Sequence, residues 1–509
     1  MFNRGKWISI PPTVDKLWQE LDPKLYDEEW FKFQTEAKEE RIGKDNLLFS
    51  QSQLFYLDYT LKGKQVDGLI NNLIIKLYPN EKLYKSSYEN VSNALRGILA
   101  NALISYHFLS GAGFIRISRG NGDYNKSRYN PLMTKRNTID VLDRLTKADL
   151  IEYYPAIFFE KKYKGKVKIN RFTSRYRFKF KIFSLFMDNN IGYKDLYKAS
   201  DFIILKGPNS KTSSKETLQL YRDTDKTNKM RKDLELYNDL LRRNHMNIAG
   251  NVSDQDGKDF QFQNYGKRFY SRIFSRGKFN CGGRFYGHWV LEVPSVARQF
   301  LYFNGRPTRQ VDYSACLLHI MYSTLNIGQH TGKDLYKMVD EDRAWVKAFC
   351  TIAPNTNRLR DACMQTIKEL GLNWNKKNED RVYNLAHLVS EAHSEVYKKY
   401  FFRGKDIGQV LTNHESNIAN EVIMHFVKKN KLILVVHDGF IVENRLKREL
   451  VEVMEDKWNK HWRIRGVRSS KPIIRETPHY TFRNTPIVDI FDTFPEYMKQ
   501  SSFNYKVDS

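Results

Sequence analysis

The stretch LILVVHDGFIV, at residues 432–442, decides the fold of the C-terminal half of this chain. Two runs of aliphatic and aromatic residues flank the tripeptide His437-Asp438-Gly439. Such runs around a short polar turn are typical of two antiparallel strands joined as a β-hairpin. Asp438 is therefore expected at the tip of the hairpin. An aspartate in a turn commonly caps its own backbone, so Asp438 alone does not indicate chemistry.

A second carboxylate is expected where another strand ends. Residues 310–322 read QVDYSACLLHIMY, in which a short strand carries Asp312 towards an apolar helix. Together, Asp312 and Asp438 offer the hard oxygen ligands that divalent cations prefer. Two such cations can clamp the attacking and leaving oxygens of a phosphoryl transfer. The pair of aspartates therefore predicts a metal-dependent phosphoryl-transfer site.

Two basic residues between these segments suit a triphosphate. Residues 342–347 read DRAWVK, and on a helix Arg343 and Lys347 point to one face because they are four residues apart. A guanidinium binds phosphate as a planar fork and an ammonium binds it as a point charge. A solvated helix face has the same spacing, so both interpretations stay open.

An arginine-rich segment precedes the first aspartate. Residues 280–287 read NCGGRFYG, in which paired glycines allow a close approach to a polyanion and Arg284 follows them. Upstream, Arg268, Arg272 and Arg276 recur every four residues and form a cationic stripe if the segment is helical. We expect these four arginines to bind nucleic-acid phosphates.

The overall charge also indicates a polyanionic partner. The 509 residues include 84 Lys and Arg against 58 Asp and Glu, a formal charge of +26. This excess favours nucleic acid, and 41% hydrophobic residues exclude a disordered basic tail. The first eleven residues lack the apolar core of a signal peptide, and no run of 18 apolar residues occurs. We therefore expect a cytoplasmic protein with no membrane partner.

The four cysteines indicate a reducing compartment. They are too sparse for a disulfide framework and form no C-x-x-C pair, so no structural zinc is expected.

A nucleic-acid-binding module is predicted in the N-terminal half. A helix at 137–147 precedes an extended segment at 150–159, and residues 161–181 hold ten Lys or Arg and no acid. At the end of this basic stretch Arg175, Arg177 and Lys179 alternate with aromatic residues, which predicts one cationic strand face. Helix, strand, basic turn and strand is the order of a winged helix, whose wing grips phosphates. A basic surface hairpin is the alternative.

The chain is predicted to be α+β, with a mostly helical N-terminal half. Five parts are expected: a helical region, a winged-helix-like module, a helical connector or thumb-like region, a catalytic domain, and a C-terminal tail. Their bounds are 1–85, 86–185, 186–260, 261–480 and 481–509.

Taken in order, the four C-terminal segments resemble the motifs of the single-subunit polymerases. This superfamily includes the phage-type and mitochondrial RNA polymerases and the family-A DNA polymerases. The resemblance covers roughly residues 261–470. Residues 280–284 resemble the T/D-x-x-G-R motif, with Asn280 in place of Thr or Asp. The other matching segments are 311–314 with motif A, Arg343 and Lys347 with the R-x-x-x-K spacing of motif B, and 436–438 with motif C.

The resemblance implies a right-hand fold of palm, fingers and thumb, and roles for particular residues. Asp312 and Asp438 would hold two Mg²⁺ ions, and Lys347 would protonate the leaving pyrophosphate. His437 would support the primer or product end. Arg284 would contact the template or hybrid backbone, and the helix around Glu415 and Asn417 would face the nascent pair. The nucleotide would be contacted by Arg343, Lys347, Tyr313 and Asn355.

Two departures from the motifs bear on the product. Asn355 stands where motif B has a tyrosine, and Leu317 stands where the DNA polymerases have a glutamate that crowds the 2′-hydroxyl. Open space at Leu317 favours ribonucleotides. The resemblance thus implies a DNA-directed RNA polymerase of a phage or mobile element. Such an enzyme uses a DNA template and NTPs to make RNA, and a phage-encoded one acts in the host cytoplasm. The alternatives are a family-A-like DNA polymerase or primase-polymerase, and a non-enzymatic DNA-binding replication initiator.

Overall fold

The structure is a computed structural model, which describes residues 53–106, 114–119, 124, 127–154, 157–163, 166–208, 217–248, 267–404 and 406–477. The predicted tail at 481–509, most of the predicted helical region at 1–85, and the predicted boundary at 260/261 lie outside these residues. Within them the chain is a mixture of helices and mostly antiparallel sheets.

The described residues form thirteen α-helices. They are α1 Lys64–Leu77, α2 Lys85–Tyr106, α3 Lys135–Lys147, α4 Phe180–Asp188, α5 Asp225–Arg243, α6 Ser295–Arg298, α7 Cys316–Thr324, α8 Arg343–Ile352, α9 Leu359–Glu369, α10 Lys376–Ala392, α11 Ser394–Tyr400, α12 Ile407–Lys428 and α13 Lys447–Arg463.

The same residues form seventeen β-strands. They are β1 Gln53–Leu54, β2 Tyr59–Leu61, β3 Phe114–Arg116, β4 Ile151–Tyr154, β5 Ile157–Tyr163, β6 Lys166–Phe172, β7 Arg175–Phe178, β8 Leu196–Lys198, β9 Ile203–Leu205, β10 Met246–Ile248, β11 Ser271–Phe274, β12 Gly282–Tyr286, β13 Leu301–Phe303, β14 Arg306–Tyr313, β15 Ile433–Val436, β16 Gly439–Glu443 and β17 Ile474–Glu476.

One hydrophobic core unites the N-terminal helices with the first sheet. Six apolar residues of α1 recur at helical spacing and are buried, whereas Ile75 is exposed. This core extends from Phe55 to Leu196 and also takes in Phe269. It includes side chains of α1, α2 and α3, so the predicted boundary at 85/86 runs through a single packed unit. The buried residues of α1 are Val66, Leu69, Ile70, Leu73, Ile74 and Leu77.

The order of elements predicted for the nucleic-acid module is present in this unit. The predicted helix is α3, and β4 follows it. A hairpin of β5 and β6 covers the most basic stretch, and β7 then pairs antiparallel with both β3 and β4. The predicted helix and the strands on either side of the basic stretch are therefore present, but this stretch forms a hairpin of two strands where a basic turn was predicted.

A second core supports the C-terminal sheet. The strands run in the order β10-β13-β14-β16-β15, and β17 also pairs with β14. All of these pairings are antiparallel. Strand β14 lies in the middle, where Asp312 is opposite Gly439 on β16 and opposite Arg475 on β17. Helix α13 covers one face of this sheet, because the Tyr313 hydroxyl donates to the Met454 carbonyl at 2.7 Å.

Helices α8 to α11 form a helical layer beside this sheet. Asp342 starts α8, because its carboxylate accepts from the backbone N–H of Ala344 at 2.9 Å and from that of Trp345. Arg343 and Lys347 therefore both lie on a helix, as predicted. No helix among the described residues combines the length and apolarity that crossing a bilayer requires.

Candidate active site

The tertiary structure brings Asp312 and Asp438 to one end of the C-terminal sheet. Asp438 lies in the two-residue turn between β15 and β16, and its carbonyl accepts from the Tyr313 N–H at 3.3 Å. Asp312 lies near the end of β14, opposite Gly439. A methyl group on Gly439 would come within 1.8 Å of Asp312 Oδ1. The glycine of the His-Asp-Gly turn thus leaves the space that the Asp312 carboxylate occupies.

Two neighbours orient the Asp312 carboxylate. The Gln310 side-chain amide donates to Asp312 Oδ1 at 2.9 Å, and the Thr477 hydroxyl donates to Oδ2. Gln310 is two residues before Asp312 on β14, so both side chains lie on the same face of the sheet. The carboxylate is half-buried and held in place, while it remains partly open to solvent.

Asp438 lies in a negative environment. Burial, the Glu415 carboxylate and Asp312 raise the pKa of Asp438, and the positive charge of Arg284 opposes them only in part. Carboxylates that destabilise each other in this way attract a proton or a cation. The site is therefore electrostatically suited to a divalent cation.

Arg284 and Glu415 border the two aspartates as an ion pair. Arg284 on β12 donates from Nε to Glu415 Oε1 at 2.7 Å and from Nη2 to Oε2 at 2.6 Å. Glu415 on α12 is 4% exposed, whereas Arg284 is 30% exposed. Gly283 precedes Arg284 with φ of 89°, and a Cβ there would lie 2.6 Å from the Phe274 ring. In this chain the glycine thus allows β12 to pack closely on β11.

His437 and Arg298 complete the surroundings of the site. His437 has φ of 57° in the hairpin turn, a conformation that is strained for a residue with a Cβ. Partial desolvation and the charges of Arg284 and Arg298 lower the pKa of His437 against the opposing charge of Glu415, so the imidazole is neutral at pH 7. Arg298 interacts electrostatically with Asp312, and its buried Nε has no hydrogen-bond partner among the described residues.

The basic helix face lies beside the aspartates at its Arg343 end. Arg343 Nε donates to Asp334 Oδ2 at 3.1 Å, and Nη2 approaches Ser314 Oγ at 3.5 Å. Ser314 is two residues after Asp312, so Arg343 reaches the end of the aspartate-bearing strand. Lys347 is exposed one turn further along α8.

The two positions tied to sugar choice lie on the surrounding helices. Asn355 is exposed, and its amide donates to the Thr351 carbonyl at 3.1 Å. A Cβ on Gly408 would lie 1.9 Å from Asn355 Oδ1, so Asn355 packs against the start of α12. No hydrogen bond among the described residues joins Asn355 to either aspartate. Leu317 lies in the first turn of α7 and is half-buried against the core.

The prediction that Tyr313 contacts the nucleotide is wrong. Tyr313 is 4% exposed, and its ring packs between Phe440 and Trp458. Successive strand residues point to opposite faces, so Tyr313 enters the core because Asp312 faces the site.

The predicted helical stripe of three arginines is also wrong. Arg272 lies on strand β11 and Arg268 just before it, and both are buried. Arg272 Nε donates to the Gly283 carbonyl at 2.8 Å, and its Nη2 donates to side chains of α12. Arg276 Nε is 3.0 Å from Asp406 Oδ1. Arg268 and Arg272 therefore join parts of the fold and present no stripe to a nucleic acid.

The predicted cationic face of the last basic strand is wrong as well. Arg175 and Arg177 are buried on β7. Glu152 is the register partner of Arg177, and its Oε2 is 3.4 Å from Arg177 Nη1. Lys179 follows the strand and pairs with Asp149. Acids of a neighbouring strand and turn thus pair with Arg177 and Lys179, while Arg175 donates to the Thr173 carbonyl.

The donor set fits Mg²⁺ bound together with a substrate. Among the described residues, no group of three or more His, Cys, Asp or Glu side chains is arranged to hold a metal ion. Protein Mg²⁺ sites, however, commonly use one or two carboxylates and complete the octahedron with water and substrate phosphates. Asp312 and Asp438 supply those two carboxylates, while Glu415 is engaged by Arg284.

Comparison with protein-family models and with curated protein sequences yields no relative. No protein-family model matches the chain, and no curated protein matches its sequence. The site is therefore interpreted from its own residues.

Several residues of the site were not found by sequence reasoning as site residues. Glu415 was expected to face the nascent pair, but its ion pair with Arg284 was not predicted. Arg298, Asp334 and Arg475 were not predicted as site residues. The partners of these residues are distant in the chain, and a single sequence does not show which distant residues come into contact.

Proposed function

We propose that this protein is a template-directed nucleotidyltransferase that uses two Mg²⁺ ions and nucleoside triphosphates. The observation that supports this most directly is the Asp312–Asp438 pair, with one carboxylate on a central strand and the other in the adjacent hairpin turn. Its electrostatics, expressed in the raised pKa of Asp438, suit a divalent cation.

The residues around the pair have complementary tasks in this proposal. Two bound Mg²⁺ ions supply Lewis-acid stabilisation of the attacking and leaving oxygens. Arg343 binds the triphosphate, and Lys347 Nζ donates a proton to the leaving pyrophosphate. Arg284, fixed by Glu415, sets the field at Asp438 and contacts the nucleic-acid backbone. Neutral His437 supports the end of the growing strand.

The surrounding architecture is assigned in the same terms. The antiparallel sheet of β10, β13, β14, β16 and β15 serves as the palm, and helices α8 to α11 serve as the fingers. The N-terminal unit with its basic hairpin binds duplex DNA. The product is RNA, because Leu317 replaces the glutamate that would crowd a 2′-hydroxyl, and the chain is a single-subunit polymerase of a phage or mobile element.

Nucleotide incorporation by the purified full chain tests this proposal. The assay combines Mg²⁺ with primed and unprimed DNA templates and compares rNTPs with dNTPs. We expect incorporation of rNTPs at least as efficient as that of dNTPs, and its loss in Asp312→Asn and Asp438→Asn. Asp380→Asn serves as the matched control, because this exposed aspartate on α10 lies away from the site and pairs with the surface residue Lys376.

The outcomes separate the candidate functions. A strong preference for dNTPs would indicate a DNA polymerase. If wild-type protein binds DNA but incorporates no nucleotide on any template, a non-enzymatic DNA-binding role replaces the proposal. Full activity in either aspartate variant would refute the two-metal assignment.

A further inference from the structure

Asp334 holds two guanidinium groups at once. Its Oδ2 accepts from Arg343 Nε at 3.1 Å and from Arg475 Nη1 at 3.1 Å. Asp334 is 4% exposed, whereas each arginine is 42% exposed. Although burial disfavours the charged carboxylate, the hydrogen bond from Arg343 and the charges of both arginines hold its pKa below the ordinary value. One buried negative charge thus fixes two positive groups that are partly open to solvent.

The register of the sheet places Arg475 beside the catalytic strand. Arg475 on β17 is the direct partner of Asp312 on β14, so the two side chains leave the sheet on the same face. Thr477, two residues further, donates its hydroxyl to Asp312 Oδ2. From the other side, Arg343 Nη2 approaches Ser314 Oγ. The two guanidiniums therefore flank the end of the strand that carries Asp312.

Arg343, Arg475 and Asp334 together carry one net positive charge, and Asp312 lies next to Arg475 on the neighbouring strand. Asp334 compensates one of the two guanidiniums, and donors of both remain available to a ligand. Two planar forks match the oxygens of linked phosphates better than those of a single carboxylate. The position next to Asp312 is also where the proposed reaction needs positive charge.

We propose that Arg475 and Arg343 form a two-guanidinium site for the triphosphate of the incoming nucleotide and for the pyrophosphate that leaves. Asp334 is the positioning residue of this site. The inference rests on the proposed function and adds to it Arg475, which lies beyond the segment that resembles polymerases. The chemical class recognised is a linear polyphosphate.

Direct binding of tripolyphosphate to the full chain tests the site without catalysis. In calorimetry without metal or nucleic acid, Arg475→Ala should weaken binding by about 10-fold or more, the scale of one lost charge-assisted hydrogen bond. Arg475→Lys keeps the charge but loses the fork, so its affinity should fall between those of wild type and Arg475→Ala. If Arg475→Ala does not fold, the affinity of Arg475→Lys for tripolyphosphate alone tests the inference.

Arg309→Ala is the matched control. Arg309 lies on the same strand as Asp312 and pairs with Glu476 of β17 at 3.2 Å. It lies three positions before Asp312, an odd offset, so it leaves the opposite face of the same strand pair. Its substitution should leave the affinity for tripolyphosphate unchanged. Equal losses of affinity in Arg309→Ala and Arg475→Ala would show that general surface charge causes the effect, and would overturn the inference.

Kinetics separate this inference from the proposed function. With an active enzyme, Arg475→Ala should raise the KM for nucleotide by about 10-fold with a smaller change in kcat. Asp334→Asn should raise the same KM without changing the affinity for DNA. If the chain binds tripolyphosphate through Arg475 but incorporates no nucleotide, the anion site stands and the proposed function fails. If the enzyme is active and Arg475→Ala and Arg475→Lys match wild type in both assays, the inference is wrong.

Discussion

Arg284 and Glu415, 131 residues apart in the chain, are joined by two hydrogen bonds of 2.7 Å and 2.6 Å. The pair connects strand β12 to helix α12 at the edge of the candidate active site. Glu415 is also one of the charges that raise the pKa of Asp438. A structural ion pair therefore helps to set the electrostatics of the proposed metal site.

Removal of Arg284 should destabilise the fold. Arg284→Ala leaves the buried Glu415 carboxylate without its partner, and breaking such a pair commonly costs about 3 kcal/mol or more. Urea unfolding followed by circular dichroism measures this loss. Arg284→Ala combined with Glu415→Gln should recover part of the lost stability, because no unpaired charge remains. A double variant less stable than Arg284→Ala would contradict this account.

Gly439 should be intolerant of even a methyl group. A Cβ at this position would lie 1.8 Å from Asp312 Oδ1, so Gly439→Ala must displace the carboxylate. A displacement of a catalytic group by about 1 Å lowers the rate of the reaction by about 100-fold. Steady-state incorporation assays measure the effect. Gly68→Ala is the control, since a Cβ on this glycine of α1 meets nothing within 4 Å, and its activity should equal that of wild type.

Lys347 should matter for chemistry and not for folding. Its side chain is exposed on α8, so Lys347→Ala should melt at the temperature of wild type. If Nζ protonates the leaving pyrophosphate, incorporation should slow by about 100-fold or more. Single-turnover rates with saturating nucleotide measure this step. Lys368→Ala removes an exposed lysine of α9 as the control, and equal rates in both variants would assign Lys347 to an ordinary solvated surface.

Two facing histidines predict a loss of stability in acid. His414 Nδ1 and His461 Nε2 are 3.0 Å apart, and burial together with the charge of Arg465 lowers the pKa of His414 to about 4 and that of His461 to about 3. The unfolded state binds protons more readily than the folded state between these values and about 6.5. The free energy of unfolding should therefore be largest above this range and decrease as the pH falls through it.

His461→Gln isolates this contribution. The variant should show a shallower dependence of unfolding free energy on pH than wild type between pH 7 and pH 4. His387→Gln, which alters an exposed histidine of α10, should keep the wild-type slope. Denaturant titrations at several pH values measure both. Identical slopes in wild type and His461→Gln would show that the pair is not the source.

The basic hairpin, and not β7, should carry duplex binding. Arg175 and Arg177 are buried, so their replacement by Glu should unfold the N-terminal unit. Changing Lys166 and Lys168 of β6 to Glu should instead weaken duplex binding and flatten its salt dependence, since fewer counterions are released. Fluorescence anisotropy of the full chain with duplex DNA at several salt concentrations measures this. The variant should still extend an annealed primer, and unchanged binding would exclude the hairpin from the interface.

The sequence by itself determined the local elements of the candidate site. The hairpin with Asp438 at its turn, the strand that carries Asp312, and the helix that carries Arg343 and Lys347 all follow from periodicity and turn chemistry. These signals act within a few residues, because strand alternation and helix repeat are properties of the backbone.

Only the tertiary structure decided which cations face solvent and which residues meet. Arg177 is buried because Glu152 comes opposite it on another strand, and Arg272 is buried because a carbonyl of β12 and side chains of α12 receive its donors. Arg475 meets Asp334 across 141 residues of sequence. An arginine run looks the same in sequence whether it faces phosphate or a buried acceptor. The difference lies in desolvation and in partners that only the folded chain brings together.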